Sequence, residues 1–361
     1  MALLDARDDV DALERLHDLG CTDGLPVVIP SPERVERMVL ATGLDADVVL
    51  GEMGPLGGAV TIEKVAANAV MAGCSADHMP YVVAVVQAVL QPEFDLSEVQ
   101  STTHSIAPLI IVNGALGSIT GIASGFGALG PGHRANASIG RALRLCMINI
   151  GGARPGVSDM ALLGHPGKFA MCLAEAEAAS PFPPMSTRWG AAPGADMVTV
   201  VGVEAPHSVM FVNDADDPDS PDRLLRVLAG VITNSGSNNL YLRSGAVVIA
   251  LNPEHARVFA DAGWDRERIA RQLVGLCSVK RSMIRSFNPA FVGAGDDDDD
   301  VAVLRSPDHV VVIVAGAEGL YSAVFPSWSA GGHGNVAVHQ VVVTGQACEI
   351  PLPQHREKAA P

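Results

Sequence analysis

The chain has 361 residues, of which 48% are hydrophobic and 4% aromatic, and its formal net charge is −16. This length and hydrophobic content are sufficient for a large core and for two lobes. The negative charge argues against nucleic acid or an anionic membrane as the main partner. Part of it comes from consecutive aspartates, 296–300, which are expected to form a solvated loop.

The sequence carries no signal for secretion or membrane insertion. No apolar run reaches the ~18 residues that a membrane-spanning helix requires, and residues 1–19 are acidic and amphipathic, unlike a signal peptide. We therefore expect a cytoplasmic protein without a membrane partner, whose six cysteines are reduced thiols. Because no CxxC pair occurs, neither a zinc knuckle nor a dithiol redox motif is predicted.

The abundance of Ala, Val and Gly favours an α/β protein with mixed or parallel sheets covered by helices. Apolar residues at helical spacing predict a helix over 7–19. A second helix is expected to begin at Pro32, and Thr61 caps a third. A fourth, over 77–90, is almost wholly apolar and is expected to be buried, although its β-branched residues leave a strand as the alternative.

Cys74 lies between the third and fourth predicted helices. A thiol at or just before a helix N-terminus meets unpaired backbone N–H groups and the helix dipole, which favour a thiolate. Cys74 is therefore a candidate nucleophile. The alternative is a cysteine packed in a tight turn between two helices.

An apolar run over 108–112 predicts a buried strand. Asn113 follows this strand at its carboxyl end, where ligands gather in open α/β sheets, and is a candidate substrate contact. His104 precedes the strand, and it is a candidate catalytic residue at the opposite end. A site shared directly by His104 and Asn113 would require the chain to double back.

A long loop, 114–132, contains seven glycines, which suit a backbone that closely approaches a ligand. Its string GFGALG (125–130) matches GxGxxG, but it follows a loop rather than a strand. No acidic residue lies suitably some 20 residues later, so a dinucleotide site is not predicted. No cofactor motif is identified elsewhere in the chain.

The loop leads into a predicted helix over 133–150 that carries several basic residues. Arg134 and Asn136 at its start, together with loop amides, form a candidate site for a carboxylate or phosphate. Arg141 and Arg144 lie one turn apart on the same helix. Either Arg141 and Arg144 also bind the anion, or they form structural ion pairs with Asp or Glu residues elsewhere in the chain.

A turn at 164–167 is expected to lead into another helix over 168–180. On that helix Lys168 and Glu175 would lie on one face. His165 at the helix entry is then a candidate acid–base catalyst, and Lys168 a candidate substrate contact. The alternative is an exposed Lys168–Glu175 ion pair.

The second half of the chain offers two further groups of polar residues. A predicted strand over 197–204 is followed by His207, a candidate catalytic residue beyond a strand end. The segment 233–242 is dense in amides and hydroxyls and is either part of a site or an ordinary turn. The candidate substrate contacts within it are Ser237, Asn238 and Asn239.

Two passages are similar, PLIIVNGALG (108–117) and VVVIVAGAEG (310–319), since each is a strand followed by a glycine-containing loop. They indicate two similar lobes facing one another, with the site between them. We accordingly divide the chain into an N-terminal α/β lobe, a C-terminal α/β lobe and a loose tail. The predicted ranges are 1–195, 196–350 and 351–361.

Several strings within residues 20–330 resemble a little-characterised bacterial family, some members of which occur with a short (seleno)cysteine module named for its UGSC motif. They are AANAVMAGC, TTHSIAPLIIVNG, RANASIGRALRL, INIGGARPG, GHPGKF, EAPH and GSNNLYL. No Cys-Gly-Ser-Cys string is present, so the thiol chemistry of that module does not carry over. The resemblance implies that the matching polar residues form one site: Cys74, His104, Arg134, Asn136, His165, His207 and Asn238.

These patterns predict an enzyme that acts on a small anionic metabolite by acid–base or covalent chemistry of cysteine and histidine. A lyase-like reaction at a carbon–heteroatom bond is preferred, because nucleotide and flavin motifs are not convincing and no GxSxG string occurs. A homo-oligomer is also expected, with the apolar segment 81–90 as one possible interface.

Two other classes of function remain open. A metal-dependent enzyme would draw its ligands from distant histidines and carboxylates, although no HxH or HExxH spacing is present. A non-catalytic protein would use the glycine-rich loop to hold a ligand or a partner chain. The candidate metal ligands are His104, His133, His165, His207 and either Glu175 or Glu204.

Overall fold

A computed structural model describes residues 4–192, 194–329 and 331–344. The predicted loose tail, 351–361, lies outside the described residues. The described part confirms the α/β prediction, because two mixed four-stranded sheets are each covered by helices. None of the described helices is long and apolar enough to cross a membrane.

The described helices follow the capping signals of the sequence closely. Thr61 accepts a hydrogen bond from the backbone of Lys64 and begins the third helix, and Asn252 caps the tenth in the same way. The helices are α1 (Asp9–Asp18), α2 (Pro32–Leu40), α3 (Ile62–Ala72), α4 (Met79–Val89), α5 (Leu96–Ser101), α6 (Ala115–Ile119), α7 (Arg134–Asn149), α8 (Ser220–Ile232), α9 (Asn238–Leu242), α10 (Pro253–Asp261), α11 (Arg266–Leu276) and α12 (Arg281–Phe287).

The described strands form two four-stranded sheets and two two-stranded sheets. The strands are β1 (Val49–Met53), β2 (Gly58–Thr61), β3 (Ala107–Asn113), β4 (Cys172–Ala174), β5 (Met197–Val203), β6 (His207–Met210), β7 (Val247–Leu251), β8 (Ser278–Lys280), β9 (Asp300–Ala302), β10 (Val310–Val314), β11 (Tyr321–Phe325) and β12 (Val338–Val341). The two-stranded sheets are β1-β2 and β8-β9.

The two large sheets have the same arrangement of strands. The first sheet has the order β12-β5-β3-β4 and the second the order β10-β7-β11-β6. In each, a central strand pairs in parallel with an edge strand and antiparallel with a third strand, which pairs antiparallel with a fourth. The fourth strands are exchanged: β6 follows β5 in the chain but lies in the second sheet, and β12 follows β11 but lies in the first.

This exchange changes the predicted division of the chain. The boundary between 195 and 196 falls just before β5, yet β5 and β12 both belong to the first sheet. The two similar passages also do not mark equivalent strands, because the counterpart of β3 is β7 and not β10. Matching hydrogen bonds support this: the backbone of Glu175 donates to Val112 (2.9 Å) and that of Ala315 donates to Leu251 (2.8 Å).

The two sheets pack face to face across a layer of aliphatic side chains. Side chains alternate between the two faces of a strand, so one set of β3 residues lies between the sheets and the other set contacts helices. Each fully buried Leu or Ile side chain contributes about 1.5–3 kcal/mol. The inner layer includes Leu109, Ile111, Val201, Val203, Val248, Ala250, Val311 and Ile313. The outer faces pack mainly against α3, α4 and α7 on one side and α8, α10 and α11 on the other.

Two predictions about segments of the fold need correction. The predicted helix over 168–180 is wrong, because the chain forms a short 3₁₀ turn at Pro166–Lys168 and then β4, which pairs with β3. Lys168 and Glu175 therefore do not share a helix face. The segment 81–90 is helical as expected, but α4 packs inside the chain against β5 and β12, so it offers no free oligomer interface.

Asn335 joins the two sheets through its side chain and backbone. Its buried amide accepts from the N–H of Gly202 (3.2 Å) and donates to the carbonyl of the same residue (2.7 Å). Its own carbonyl accepts from Ala246, just before β7. Asn335 has a φ of 58°, in the left-handed region that Asn tolerates better than most residues.

Replacing Asn335 should destabilise the fold. We expect Asn335→Ala to lower the free energy of unfolding by about 2–4 kcal/mol, because two buried backbone groups lose their partners and Ala is strained at this φ. Urea unfolding measures the change. Asn234→Ala, at an exposed turn, should change it by less than about 1 kcal/mol. Equal urea midpoints for Asn335→Ala and the wild type would contradict this account of Asn335.

Candidate functional site

Four separate segments meet at one end of the two packed sheets. Antiparallel pairing of β3 with β5 places Ala107 opposite Val203, so His104 before β3 lies beside Glu204 after β5. The backbone N–H of Asn238, at the start of α9, donates to Glu204 Oε1 (3.3 Å). His165 lies close enough for the charges of His104 and Glu204 to affect its pKa. We call His104, His165, Glu204 and Asn238 the histidine cluster.

His104 and Glu204 form a close contact that remains partly open to solvent. His104 Nε2 lies 3.1 Å from Glu204 Oε1, and the two side chains are 32% and 20% exposed. The contact is poorly aligned, since this Nε2 makes no hydrogen bond of good geometry with the described residues. Hydrogen bonds at active sites are often misaligned before substrate binds, and the short distance between these two atoms would allow one to form after a small movement.

His165 is held as a neutral hydrogen-bond donor. Its Nδ1 accepts from the N–H of Gly167 (3.1 Å), which assigns the proton of the neutral ring to Nε2. Burial lowers the pKa of His165, as do the charges of Lys168 and Arg144, while Glu204 acts in the opposite direction. Nε2 is buried without a hydrogen-bond partner among the described residues. The ring therefore has an unused donor at neutral pH.

A buried group of charges lies next to His165. Lys168 Nζ is 2.8 Å from both carboxylate oxygens of Asp159, and Arg144 Nη1 is 3.8 Å from Asp159 Oδ2. Arg144 also donates through Nε to the carbonyl of Lys168 (2.5 Å) and through Nη1 to Gln100 (3.3 Å). Burial lowers the pKa of Arg144 to about 10. Lys168 is thus near the histidine cluster, but it is bound to Asp159.

Cys74 is a packed thiol. The chain leaves α3 through Gly73, which has a φ of 88°, and Cys74 is buried beside Ser138. Burial raises the pKa of Cys74 to about 12, although a hydrogen bond with Ser138 and the charge of Arg134 oppose the rise. Because the thiol stays protonated at neutral pH, the predicted thiolate is not supported and the packing alternative is favoured.

Arg134 and Asn136 are used inside the chain rather than at an anion site. Arg134 Nε and Nη2 donate to the carbonyl of Gly73, at 3.0 and 2.9 Å. Asn136 accepts from the N–H of Ala123 (2.8 Å) and donates to backbone carbonyls that include Ala128 (3.0 Å). The amide therefore fixes the glycine-rich loop, and its hydrogen bonds inside the chain leave Asn136 little capacity for the predicted anion site.

Asn113 lies at the opposite end of β3 from the histidine cluster, as the sequence indicated. Its Nδ2 donates to Glu175 (2.6 Å) and Glu177 (2.8 Å). Glu175 is fully buried and forms an ion pair with Arg266. No sequence pattern indicated a role for Arg266. Burial raises the pKa of Glu175, and the charge of Arg266 opposes this rise. The group supports the fold at the carboxyl ends of β4 and β10.

The remaining candidates differ in their surroundings. Ser237 accepts from the backbone of Asn239 at the start of α9, and Asn239 accepts from the N–H of Ser327 (2.7 Å). The side chains of Ser237 and Asn239 therefore stabilise the fold around α9. The side chain of Asn238 has no hydrogen bond to a described residue and remains a candidate contact. His207 is exposed on edge strand β6 and has no such bond either.

The candidate metal ligands do not form a metal-binding group among the described residues, although His104, His165 and Glu204 lie near one another. His133 Nε2 lies 2.9 Å from the carbonyl of Phe126, near the glycine-rich loop, and Glu175 pairs with Arg266 at the end opposite to His104. Within residues 4–192, 194–329 and 331–344, no three His, Cys, Asp or Glu side chains come together in a group that could hold a metal ion.

Comparisons with known proteins add no family to these observations. The chain matches no protein-family model, and it matches no protein among the curated sequences. The resemblance to the bacterial family stays a prediction. Its implied site is only partly assembled, because His104, His165 and Asn238 meet while Cys74 and Arg134 serve other contacts.

The pKa of His165 should lie below its usual value of 6.5. Because the unfolded state then binds the proton more readily, stability should fall as the pH drops from about 6.5 toward the folded pKa. We expect Lys168→Gln to raise this pKa and Glu204→Gln to lower it, as measured by NMR titration of the ring. Arg154→Gln is the control and should leave the pKa of His165 unchanged, because the charge of Arg154 is not among those that act on this ring. Shifts of the reverse sign would contradict the proposed surroundings of His165.

Proposed function

We propose that this protein is a cytoplasmic enzyme that catalyses proton transfer on a small anionic metabolite at the histidine cluster. The observation that carries the proposal is the 3.1 Å contact of His104 with Glu204 beside a buried, unpaired Nε2 of His165. Unpaired buried donors are costly, so one that is placed next to an imidazole–carboxylate pair is typical of a site prepared for a ligand.

Each residue of the cluster has a distinct role in this proposal. Glu204 holds the proton of His104 on Nε2, which leaves Nδ1 as the general base. The N–H of His165 donates to an oxygen of the substrate as negative charge develops on it, and a neutral imidazole can do so without taking a charge itself. The free side chain of Asn238 orients the substrate through a further hydrogen bond.

A lyase-like reaction at a carbon–heteroatom bond follows from these roles. His104 removes a proton from the carbon next to an oxygen-bearing group that His165 polarises. The electron pair of the broken C–H bond forms a carbon–carbon double bond as the heteroatom on the adjacent carbon leaves with the electron pair of its own bond, and the heteroatom then takes up the proton that His104 removed. The covalent alternative has little support, because burial holds the thiol of Cys74 in its protonated form.

We also propose that the chain belongs to the bacterial family that its strings resemble. What supports this is the position of three of its implied site residues, His104, His165 and Asn238, in the histidine cluster. The proposal concerns membership alone, since nothing about the reaction follows from it.

A homo-oligomer is proposed on a different surface from α4. The segment 157–163 exposes Val157 (76%), Leu162 (86%) and Leu163 (93%), a run of large apolar side chains that a neighbouring copy would cover. Sedimentation should therefore show a species larger than one chain, and replacing Leu162 and Leu163 by Ser should shift it to the monomer. A monomeric wild type would exclude this interface.

Substitutions in the cluster test the proposed reaction. The protein is incubated with a set of small carboxylates and phosphate esters, and their consumption is followed by mass spectrometry. For any substrate found, His104→Gln and Glu204→Gln should each slow turnover by roughly 100-fold or more. His207→Gln and Cys74→Ser should keep the rate within about twofold.

Two outcomes would refute the proposal. One is a folded wild-type protein that consumes none of these compounds. The other is unchanged turnover by His104→Gln and Glu204→Gln. Loss of turnover only in Cys74→Ser would favour covalent chemistry instead.

A further inference from the structure

A cavity of about 430 Å³ lies against the buried charges next to His165. It is bordered by the segment Gly20–Gly24, by α7 and by the chain from 153 to 169. Its volume is within the range of small-molecule sites. Three basic side chains line it, Arg144, Arg154 and Lys168, although the protein as a whole carries a formal charge of −16.

The acidic side chains that line this cavity carry less negative charge than its three basic side chains carry positive charge. Asp23 also lines the cavity and its charge acts on Arg144, but each of its two carboxylate oxygens accepts a 2.8 Å hydrogen bond from Arg141. Asp159 is the main counterion of Arg144 and Lys168 within the cavity. It contacts Lys168 closely and Arg144 at 3.8 Å.

Arg144 has donor capacity that the described protein does not use. Its side chain is only 8% exposed. Its Nε and Nη1 contact Lys168, Gln100 and Asp159, whereas no hydrogen bond of Nη2 to a described residue is formed. A largely buried cation that shares its counterion and keeps one N–H for solvent or a ligand is stabilised further when an anion binds beside it.

Apart from Thr22 and two glycines, the rest of the cavity wall is apolar. Ile148, Ala153 and Phe169 line it beside the charged groups. A ligand that fits this wall has an oxyanion at one end and a hydrocarbon body at the other. A planar carboxylate matches the fork of a guanidinium, and its hydrocarbon part would lie against Phe169.

We infer that this cavity binds the carboxylate of a small organic acid with an apolar body, through Arg144 and Lys168. The inference rests on the proposed function in one respect: the carboxylate is taken to belong to the substrate that the histidine cluster transforms. Lys168 is three residues from His165 and donates its backbone N–H to the carbonyl of that residue (2.9 Å). The part of the cavity wall at Lys168 and Arg144 is therefore close enough to His165 for these charges to affect the pKa of its ring.

Binding of simple probes tests the inference without a known substrate. Butyrate and its neutral counterpart butyramide are titrated into the full chain by calorimetry, with inorganic phosphate as a second anion. We expect butyrate to bind and butyramide not to bind. Lys168→Gln should weaken butyrate binding roughly tenfold, the loss of one charge-assisted hydrogen bond. Lys280→Gln, at an exposed lysine, should leave it unchanged.

A second variant changes the affinity in the opposite direction. Asp159→Asn removes the carboxylate that competes with butyrate for Arg144 and Lys168, so this variant should bind butyrate more tightly than the wild type. It also provides a test if Lys168→Gln fails to fold. Equal binding of butyrate and butyramide, binding of phosphate alone, or butyrate affinity unaffected by either variant would overturn the inference.

The same titration separates this inference from the proposed function. His104→Gln should bind butyrate as the wild type does while it loses turnover. Binding by a protein that consumes none of the metabolites would leave the cavity assignment standing and refute the enzyme proposal. Turnover that is normal in both Lys168→Gln and Asp159→Asn would refute the claim that the carboxylate bound in the cavity belongs to the substrate, and would leave the enzyme proposal standing.

Discussion

The packing of two sheets across one aliphatic layer is the constraint on which the rest of the structure depends. Each sheet presents alternate residues of its strands to the other, and these side chains are almost all Val, Ile, Leu and Ala. Because the layer is dry, backbone groups near it must be paired by the strands themselves or by amides such as Asn335. The histidine cluster lies at the end of this layer, where β3 begins and β5 ends, so its geometry is fixed by strand pairing.

The local parts of this fold could be predicted from the sequence. Pro32 and the cap Thr61 located helix starts, and an apolar run located β3, which correctly placed His104 and Asn113 at opposite ends. The short strand β4 could not be found in this way. Its three residues form a strand only because they pair with β3. Such pairing between distant segments leaves no periodic signal in the sequence.

The segments that form the candidate site could be predicted from the sequence, but the individual residues that face the site could not. The strings around His104, His165, Glu204 and Asn238 do meet. The sequence gives the type of a polar residue, however, and not the partner that its side chain finds. An irregular glycine-rich loop leaves many backbone groups without regular pairing, and Asn136 satisfies several of them. The same need for internal partners explains why Asn113, Arg134 and Asn239 support the fold.

The exchange of β6 and β12 has a consequence for the newly made chain. On the ribosome, β3, β4 and β5 have all been made by residue 203, but β12, the strand that completes their sheet, begins only at residue 338. Until then the outer edge of β5 exposes unpaired backbone groups to other nascent chains. Synthesis through residue 341 is therefore required before the first sheet has its full set of strands.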